Sequence, residues 1–346
     1  MYKRMEQGLR IGQHRARMDR LIAALRPDSF TAMILATVAL ASVAPAAGPA
    51  VPLFDATVKV SVMALFFLHG ARLAPEAVLQ AIGHWRLQFL ILALTFLAFP
   101  LLAMVSAPLL SRVLEPTLYL GFVFLCCLPS TVQSSIAFTS VGQGNVPAAA
   151  CAASASNLLG IVITPLLTGL MLARAGAVTF GAVGSIVLLL LVPFVAGQLA
   201  RPWLGGWVSR RRLLLVTVDR AAILLMIYAS FGKAVEAGVW QRILAADLAL
   251  LVVACVALLA TVLALAVYAA RRLGFARADE VAIVFCGSMK SLVTGMPMAN
   301  VLFPGAQAGI LVIPLIVFHQ VQLLACAVLA RRYGLGERAG LPPQPE

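Results

Sequence analysis

The chain has 346 residues, of which 62% are hydrophobic and only 11% are charged, and its mean hydropathy is +0.99. Soluble globular domains carry about 25% charged residues, so this composition excludes a soluble enzyme, a disordered protein and a small disulfide-stapled secreted fold. A net charge of +13 would be typical of a nucleic-acid-binding protein if the chain were soluble. The basic residues instead fall in short gaps between apolar runs, so we predict an integral membrane protein that binds no nucleic acid.

Ten apolar segments follow one another along the chain. An α-helix needs about 20 residues to cross the hydrocarbon core of a bilayer, and the connections between these segments are too short for a separate soluble domain. The fold class predicted is therefore an all-α polytopic membrane protein with ten transmembrane helices. Spans 1 to 10 are predicted at residues 29–47, 56–73, 87–110, 117–140, 146–173, 180–200, 213–235, 246–270, 280–302 and 308–330.

The basic residues give the predicted orientation. Most of the 26 Lys and Arg residues lie in the N-terminal arm, residues 1–28, and in every second connection, which the positive-inside rule assigns to the cytoplasm. We therefore expect a bacterial inner-membrane protein with both termini cytoplasmic, including a tail at 333–346. The arm and span 1 also imitate a secretory signal, but the arm is too long and nine spans follow, so span 1 is predicted to be retained.

The ten spans divide into two sets of five, at residues 29–173 and 178–332. Because each set has an odd number of spans, the two sets must have opposite orientations, and such inverted repeats are typical of secondary transporters. Their binding sites lie where discontinuous helices meet near the middle of the membrane. We therefore predict two inverted five-helix repeats with a broken, polar helix at matching positions.

The fourth span of each set fits this expectation. The predicted helix breaks are Pro129 in span 4 and Gly287, Gly295 and Pro297 in span 9. Unsatisfied polar groups in hydrocarbon are costly, so these polar spans should face protein or a water-filled cavity. A single hydroxyl could simply join packed helices, but two matched clusters favour a substrate or ion site. Its candidate residues in spans 4, 5, 9 and 10 are Ser130, Thr131, Gln133, Ser134, Ser135, Asn157, Ser288, Lys290, Ser291, His319 and Gln320.

Lys290 is the one charged residue in the middle of span 9, and ionisable residues at this depth are functional candidates. No acidic residue lies in the body of spans 4, 5, 9 or 10, since Asp279 and Glu280 are at the inner end of span 9. Three states of Lys290 are therefore possible. It remains cationic and is stabilised by water and the carbonyl ends of the broken helices, it binds an anionic substrate, or it loses its proton.

Two sequence blocks carry a family resemblance: LPSTVQSSIAFTSVGQGNVPAA at 128–149 and FCGSMKSLVTGMPMANVLFPG at 285–305. They resemble the bile acid/sodium symporter superfamily, specifically its SBF-like branch. The resemblance implies a panel of spans 1, 2, 6 and 7 and a core of spans 3–5 and 8–10. It also implies that broken spans 4 and 9 cross near the ion sites and that substrate binds between panel and core.

One departure from the family pattern concerns the coupling ion. Sodium-coupled relatives have an acidic residue and a glutamine in the span 9 break, whereas this chain has Cys286 and Lys290 at the corresponding positions. The coupling ion is therefore left open between Na⁺ and H⁺. We expect Lys290 to stand in place of a bound sodium ion.

These observations together predict a secondary active transporter, a symporter that carries a small organic anion by alternating access. A passive pore and a non-transporting membrane regulator are the alternatives on the same scaffold. An enzyme is not predicted, because the membrane spans offer no paired acids, metal-ligand set or activated nucleophile. The six cysteines lie in apolar stretches and are predicted to be free, buried thiols. Neither a cofactor nor a metal is expected, and the expected partners are the anion and the lipid bilayer.

Overall fold

The computed structural model describes residues 29–46, 50–72, 84–173, 180–238, 241, 243–303 and 307–338. Within these ranges the secondary structure is helical and contains no strand. The predicted N-terminal arm and the last residues of the predicted tail lie outside the described residues. The all-helical fold class is confirmed.

The described residues of the first half form seven α-helices. The helices are α1 (Ser29–Val43), α2 (Ala50–Arg72), α3 (Trp85–Ala93), α4 (Phe99–Val113), α5 (Pro116–Cys127), α6 (Gln133–Val141) and α7 (Val146–Ala173). Helix α3 continues without a gap through a π-helical turn at Leu94–Ala98 into α4.

The described part of the second half also contains short, interrupted helices between longer ones. Its last helix extends beyond the predicted end of span 10. The helices are α8 (Phe180–Arg210), α9 (Arg212–Glu236), α10 (Ala245–Arg272), α11 (Arg277–Ser288), α12 (Leu292–Leu302), α13 (Gln307–Leu311) and α14 (Ile313–Arg338).

Seven of the described segments are long and apolar enough to cross a membrane. Large apolar side chains such as Val105, Leu199 and Leu213 are exposed on the outside of the bundle. Such a surface is unfavourable in water and suits lipid. By contrast, 94% of the most apolar window of Arg277–Leu302 is buried, against 22% for Val51–Arg72. The polar segment is therefore inside the bundle of a polytopic membrane protein.

Helix α2 packs mainly against α8 and α1 against α9, while α8 and α9 also contact α7, α12 and α13. Helices α2 and α8 cross with their backbones in contact at two glycines. A Cβ atom on Gly70 would lie 2.0 Å from the carbonyl oxygen of Phe194, and one on Gly197 would lie 1.9 Å from that of Phe67. Small residues allow this close approach between membrane helices, so the two glycines fix the crossing of α2 and α8.

All six cysteines are free and buried, as the sequence predicts. Two ion pairs join α2 to α9, Asp55 with Lys233 near one end and Arg72 with Asp219 near the other. Asp219 is therefore paired with Arg72 and not with Arg220, its neighbour in the sequence. The guanidinium carbon of Arg220 instead lies 5.2 Å from the ring centroid of Phe30.

Candidate functional site

The helix is interrupted between Cys127 and Gln133, where Pro129 has no N–H to donate. The freed backbone groups are satisfied from α7. The hydroxyl of Thr164 donates to the carbonyl of Cys127 at 2.9 Å, and the N–H of Ser130 donates to the hydroxyl of Ser156 at 3.0 Å. The Asn157 amide donates to the carbonyl of Ser130 at 2.6 Å. These bonds hold the interrupted backbone in a fixed, buried conformation.

The second interruption lies between Ser288 and Leu292 and depends on Gln322 of α14. Its side-chain oxygen accepts from the N–H of Lys290 at 2.8 Å, and its side-chain nitrogen donates to the carbonyl of Lys290 at 2.9 Å. Ser291 then caps α12 by accepting from the N–H of Thr294 at 3.1 Å. Gln322 was not among the predicted site residues.

The predicted helix breaks at Gly295 and Pro297 are wrong, because both residues lie inside α12. Gly287 lies in the last turn of α11, one residue before that helix ends. Gly295 serves close packing, since a Cβ atom there would lie 2.6 Å from a side-chain carbon of Leu128. A proline is tolerated inside a membrane helix when neighbouring helices satisfy the freed backbone groups, so composition alone misplaces the break.

The two interruptions contact each other directly. The N–H of Ser291 donates to the carbonyl of Pro129 at 2.9 Å. The hydroxyl of Ser130 donates to the carbonyl of Cys286, near the end of α11, at 2.6 Å. In the opposite direction Lys290 reaches the end of α5. Each break therefore sends one side chain to the C-terminal carbonyls of the other broken helix.

The ammonium of Lys290 is fully buried and is surrounded by oxygen atoms. Its nitrogen lies 2.8 Å from the carbonyl oxygen of Thr95, 3.0 Å from that of Cys126 and 2.7 Å from that of Leu128. It also lies 4.0 Å from the ring centroid of Phe99. Among the described residues no carboxylate forms an ion pair with it. The positive charge is therefore met by backbone dipoles and an aromatic face.

A cavity of about 1350 Å³ is lined by residues of α1, α2, α8 and α9 on one side and of α6, α7, α12 and α14 on the other. Its walls combine apolar side chains such as Phe66 and Phe194 with polar ones, and it reaches both interruptions. The predicted site residues that line it are Thr131, Gln133, Ser134, Asn157, Ser291 and His319. The first turn of α6, which begins at Gln133, has no side-chain cap.

The other predicted site residues do not line this cavity. Ser130, Ser135, Ser288 and Lys290 are fully buried, and Gln320 is absent from the cavity wall. The hydroxyl of Ser135 donates to the carbonyl of Phe285 at 3.4 Å, and that of Ser288 donates to the carbonyl of Val284 at 2.6 Å. These buried serines bond to the backbone of α11.

Several polar residues of the cavity wall were not predicted as site residues. Ser154 and Thr294 come from α7 and α12, and the others come from α2, α8 and α9. These others are His69, Arg72, Gln198, Arg201, Asp219 and Arg220. Three guanidinium groups therefore accompany one carboxylate in the described wall, and Arg72 bonds to that carboxylate at 2.6 Å.

The family model of the SBF-like CPA transporters matches residues 28–334, which include the cavity and both interruptions. The chain belongs to the SBF-like CPA transporter family. As a member of this family it belongs to a group of membrane transporters, not enzymes.

Relatives support the same assignment. The chain is 50% identical over 309 residues to an uncharacterized protein of Pseudomonas aeruginosa, a match that covers 89% of this chain and 93% of the relative. It is 49% identical over 307 residues to the Escherichia coli protein named "Putative symporter YfeH", covering 88% of this chain and 92% of that protein. Sodium/bile acid cotransporter 7 of Mus musculus is 30% identical over 323 residues, or 90% of this chain and 93% of the relative.

Proposed function

We propose that the protein is a secondary active transporter of a small organic anion and that the anion binds in the 1350 Å³ cavity. The observation that carries this proposal is the meeting of guanidinium groups with an uncapped helix N-terminus in one largely apolar cavity. N-terminal N–H groups and the helix dipole favour negative charge, and apolar walls suit the organic part of a ligand. The name of the murine relative supports an organic substrate.

The proposed contacts follow the cavity wall. Gln133 and Ser134 present the start of α6, and Arg201 presents a positive charge from α8. Asn157 and His319 add polar groups on the side of the cavity where the two helix interruptions lie. Ser130, Ser135, Ser288 and Lys290 would act indirectly, because they hold the interrupted helices in place.

The proposed transport mechanism is alternating access. It is supported by the parallel order of helices in 29–173 and 178–332, which we propose to be two inverted five-helix repeats with ten spans. The cavity wall includes Arg72, Arg201 and Arg220, which lie toward the side that the predicted orientation assigns to the cytoplasm. We accordingly propose an inward-facing state in a bacterial inner membrane with both termini cytoplasmic. The coupling ion proposed is Na⁺ or H⁺.

Counterflow in proteoliposomes tests this function. Vesicles containing the protein and unlabelled anion should accumulate labelled anion transiently, whereas a passive pore or a non-transporting regulator should not. Radiolabelled taurocholate, benzoate and succinate are suitable probes of different size. Absence of counterflow for every probe across this range, with correctly folded protein in the vesicles, would contradict the proposal.

Arg201→Gln provides the test of the cavity, and Arg210→Gln is its matched control. Both residues lie on α8 and carry the same charge, but Arg201 lines the cavity and Arg210 is exposed outside it. We expect Arg201→Gln to reduce uptake by about tenfold or more, in line with a hydrogen bond to a charged group of roughly 1.5–3 kcal/mol. Arg210→Gln should retain uptake, and equal losses in both variants would remove the cavity from the mechanism.

A further inference from the structure

We propose that the ammonium of Lys290 is a tethered cation filling a monovalent-cation site formed by the carbonyl oxygens of Thr95, Cys126 and Leu128, and that this site accepts a free monovalent cation when the ammonium is removed. The three oxygen atoms lie 2.7–3.0 Å from the nitrogen. Rings of backbone carbonyls replace the hydration shell of K⁺ in channels, so oxygen ligands of this kind suit a dehydrated monovalent ion.

The oxygen atoms from α5 are available because that helix ends here. The last carbonyls of an α-helix have no intrahelical partner and carry the negative end of its dipole. Cys126 and Leu128 direct two of these carbonyls at Lys290, while the carbonyl of Cys127 between them accepts from Thr164. The helix end thus supplies two ligands and a favourable field for a cation.

The third oxygen atom is available because of the π-helical turn. In that turn the N–H of Phe99 donates to the carbonyl of Leu94 instead of the carbonyl of Thr95. If the π-helical pattern continued by one residue, the donor to the carbonyl of Thr95 would be Pro100, which has no N–H. The carbonyl of Thr95 is left without a donor from its own helix, and Lys290 supplies one.

The geometry selects the charged form of the lysine. An ammonium has three N–H donors, and three carbonyl oxygens lie within hydrogen-bond distance of the nitrogen. A neutral amine would leave one of these oxygens without a donor and would turn its lone pair toward an oxygen. The face of Phe99, 4.0 Å away, also favours a cation through its quadrupole. We therefore infer that Lys290 contributes a positive charge, and that this charge opposes binding of a second cation close to it.

The cations used as probes are chosen for their size relative to the space between the three carbonyl oxygens. Ammonium and K⁺, which are similar in size, suit oxygen atoms at the 2.7–3.0 Å present around the lysine nitrogen. The smaller Na⁺ requires contraction of the same three carbonyls. Choline carries the same charge but is too large for a space vacated by a lysine side chain. Choline chloride at equal ionic strength is therefore the reference salt.

Thermal unfolding of purified Lys290→Ala in detergent tests the site without any transport measurement. We expect its midpoint to be lower than that of the wild type in choline chloride, because three buried carbonyls lose their donor. Ammonium, K⁺ or Na⁺ chloride should raise the midpoint by about 3 °C or more, increasing with concentration as mass action requires. The wild-type midpoint should be the same in all four salts.

Lys290→Met is the matched control, because its long apolar side chain fills the space but leaves no room for an ion. It should be destabilised and should not respond to the salts. Lys290→Ser provides a second responsive variant with a hydroxyl as an extra ligand. The proposal is overturned if neither Lys290→Ala nor Lys290→Ser responds, or if Lys290→Met or the wild type responds equally. It is also overturned if the two small variants yield no folded protein even in ammonium chloride. Because transport is not measured, failure of the proposed transport function would leave these results unchanged.

Discussion

Gln322 shows how much of the second helix interruption depends on one side chain. Its amide pairs with both the N–H and the carbonyl of Lys290, and it is itself fully buried. A buried polar group without a partner costs about 1–3 kcal/mol. The local sequence at 289–291 contains neither Pro nor Gly, so the interruption is stabilised by a contact from a distant helix.

Gln322→Leu should therefore destabilise the protein by roughly 2–5 kcal/mol, because two backbone groups lose their partners. The measurement is the thermal unfolding midpoint in detergent. Thr261→Val is the control: Thr261 is exposed on α10 and bonds only to the carbonyl of Ala257 in its own helix. A midpoint for Gln322→Leu equal to that of the control would show that the interruption does not need this amide.

At the scale of helices, the sequence predicts an interruption correctly where local backbone chemistry determines its position. Pro129 lacks a donor, so the sequence alone locates the interruption after Cys127. Gly295 and Pro297 give the same local signal, yet they lie within α12, because packing and backbone partners decide the outcome there. The arginines of the cavity wall were not predicted as site residues, since no local pattern indicates that α2, α8 and α9 bring them together.

The crossing of α2 and α8 offers an element-scale prediction. Gly197→Ala places a Cβ atom 1.9 Å from a backbone oxygen of Phe67, whereas Gly206→Ala on the same helix meets nothing within 4 Å. We expect Gly197→Ala to destabilise the protein by about 1–3 kcal/mol or more through overpacking. Gly206→Ala should be neutral or stabilising by about 0.5–1 kcal/mol, because alanine favours a helix. Similar unfolding midpoints for both variants would argue against a close crossing.

At the scale of the whole molecule, the direction of the interrupted helices distinguishes the cavity from the surroundings of Lys290. The N-terminal ends of α6 and α12 contribute Gln133 and Ser291 to the cavity, while the C-terminal end of α5 meets the ammonium of Lys290. The proposed anion in the cavity and the proposed tethered cation at Lys290 would each face helix ends of suitable sign. The sequence predicts both clusters of polar residues, and the helix ends determine which charge each side favours.

A filled cation site has a direct consequence for transport, if the proposed function holds. A sodium ion about 4 Å from the ammonium of Lys290 would meet a repulsion of about 4 kcal/mol at an effective dielectric constant near 20, or roughly a thousandfold in affinity. Uptake by wild-type proteoliposomes should therefore be unchanged when choline replaces Na⁺. Lys290→Ala should lose uptake in choline and recover it in ammonium or Na⁺, because a free cation then takes the place of the tethered one. Wild-type uptake that requires Na⁺ would contradict this account, because the site would then bind sodium beside the lysine.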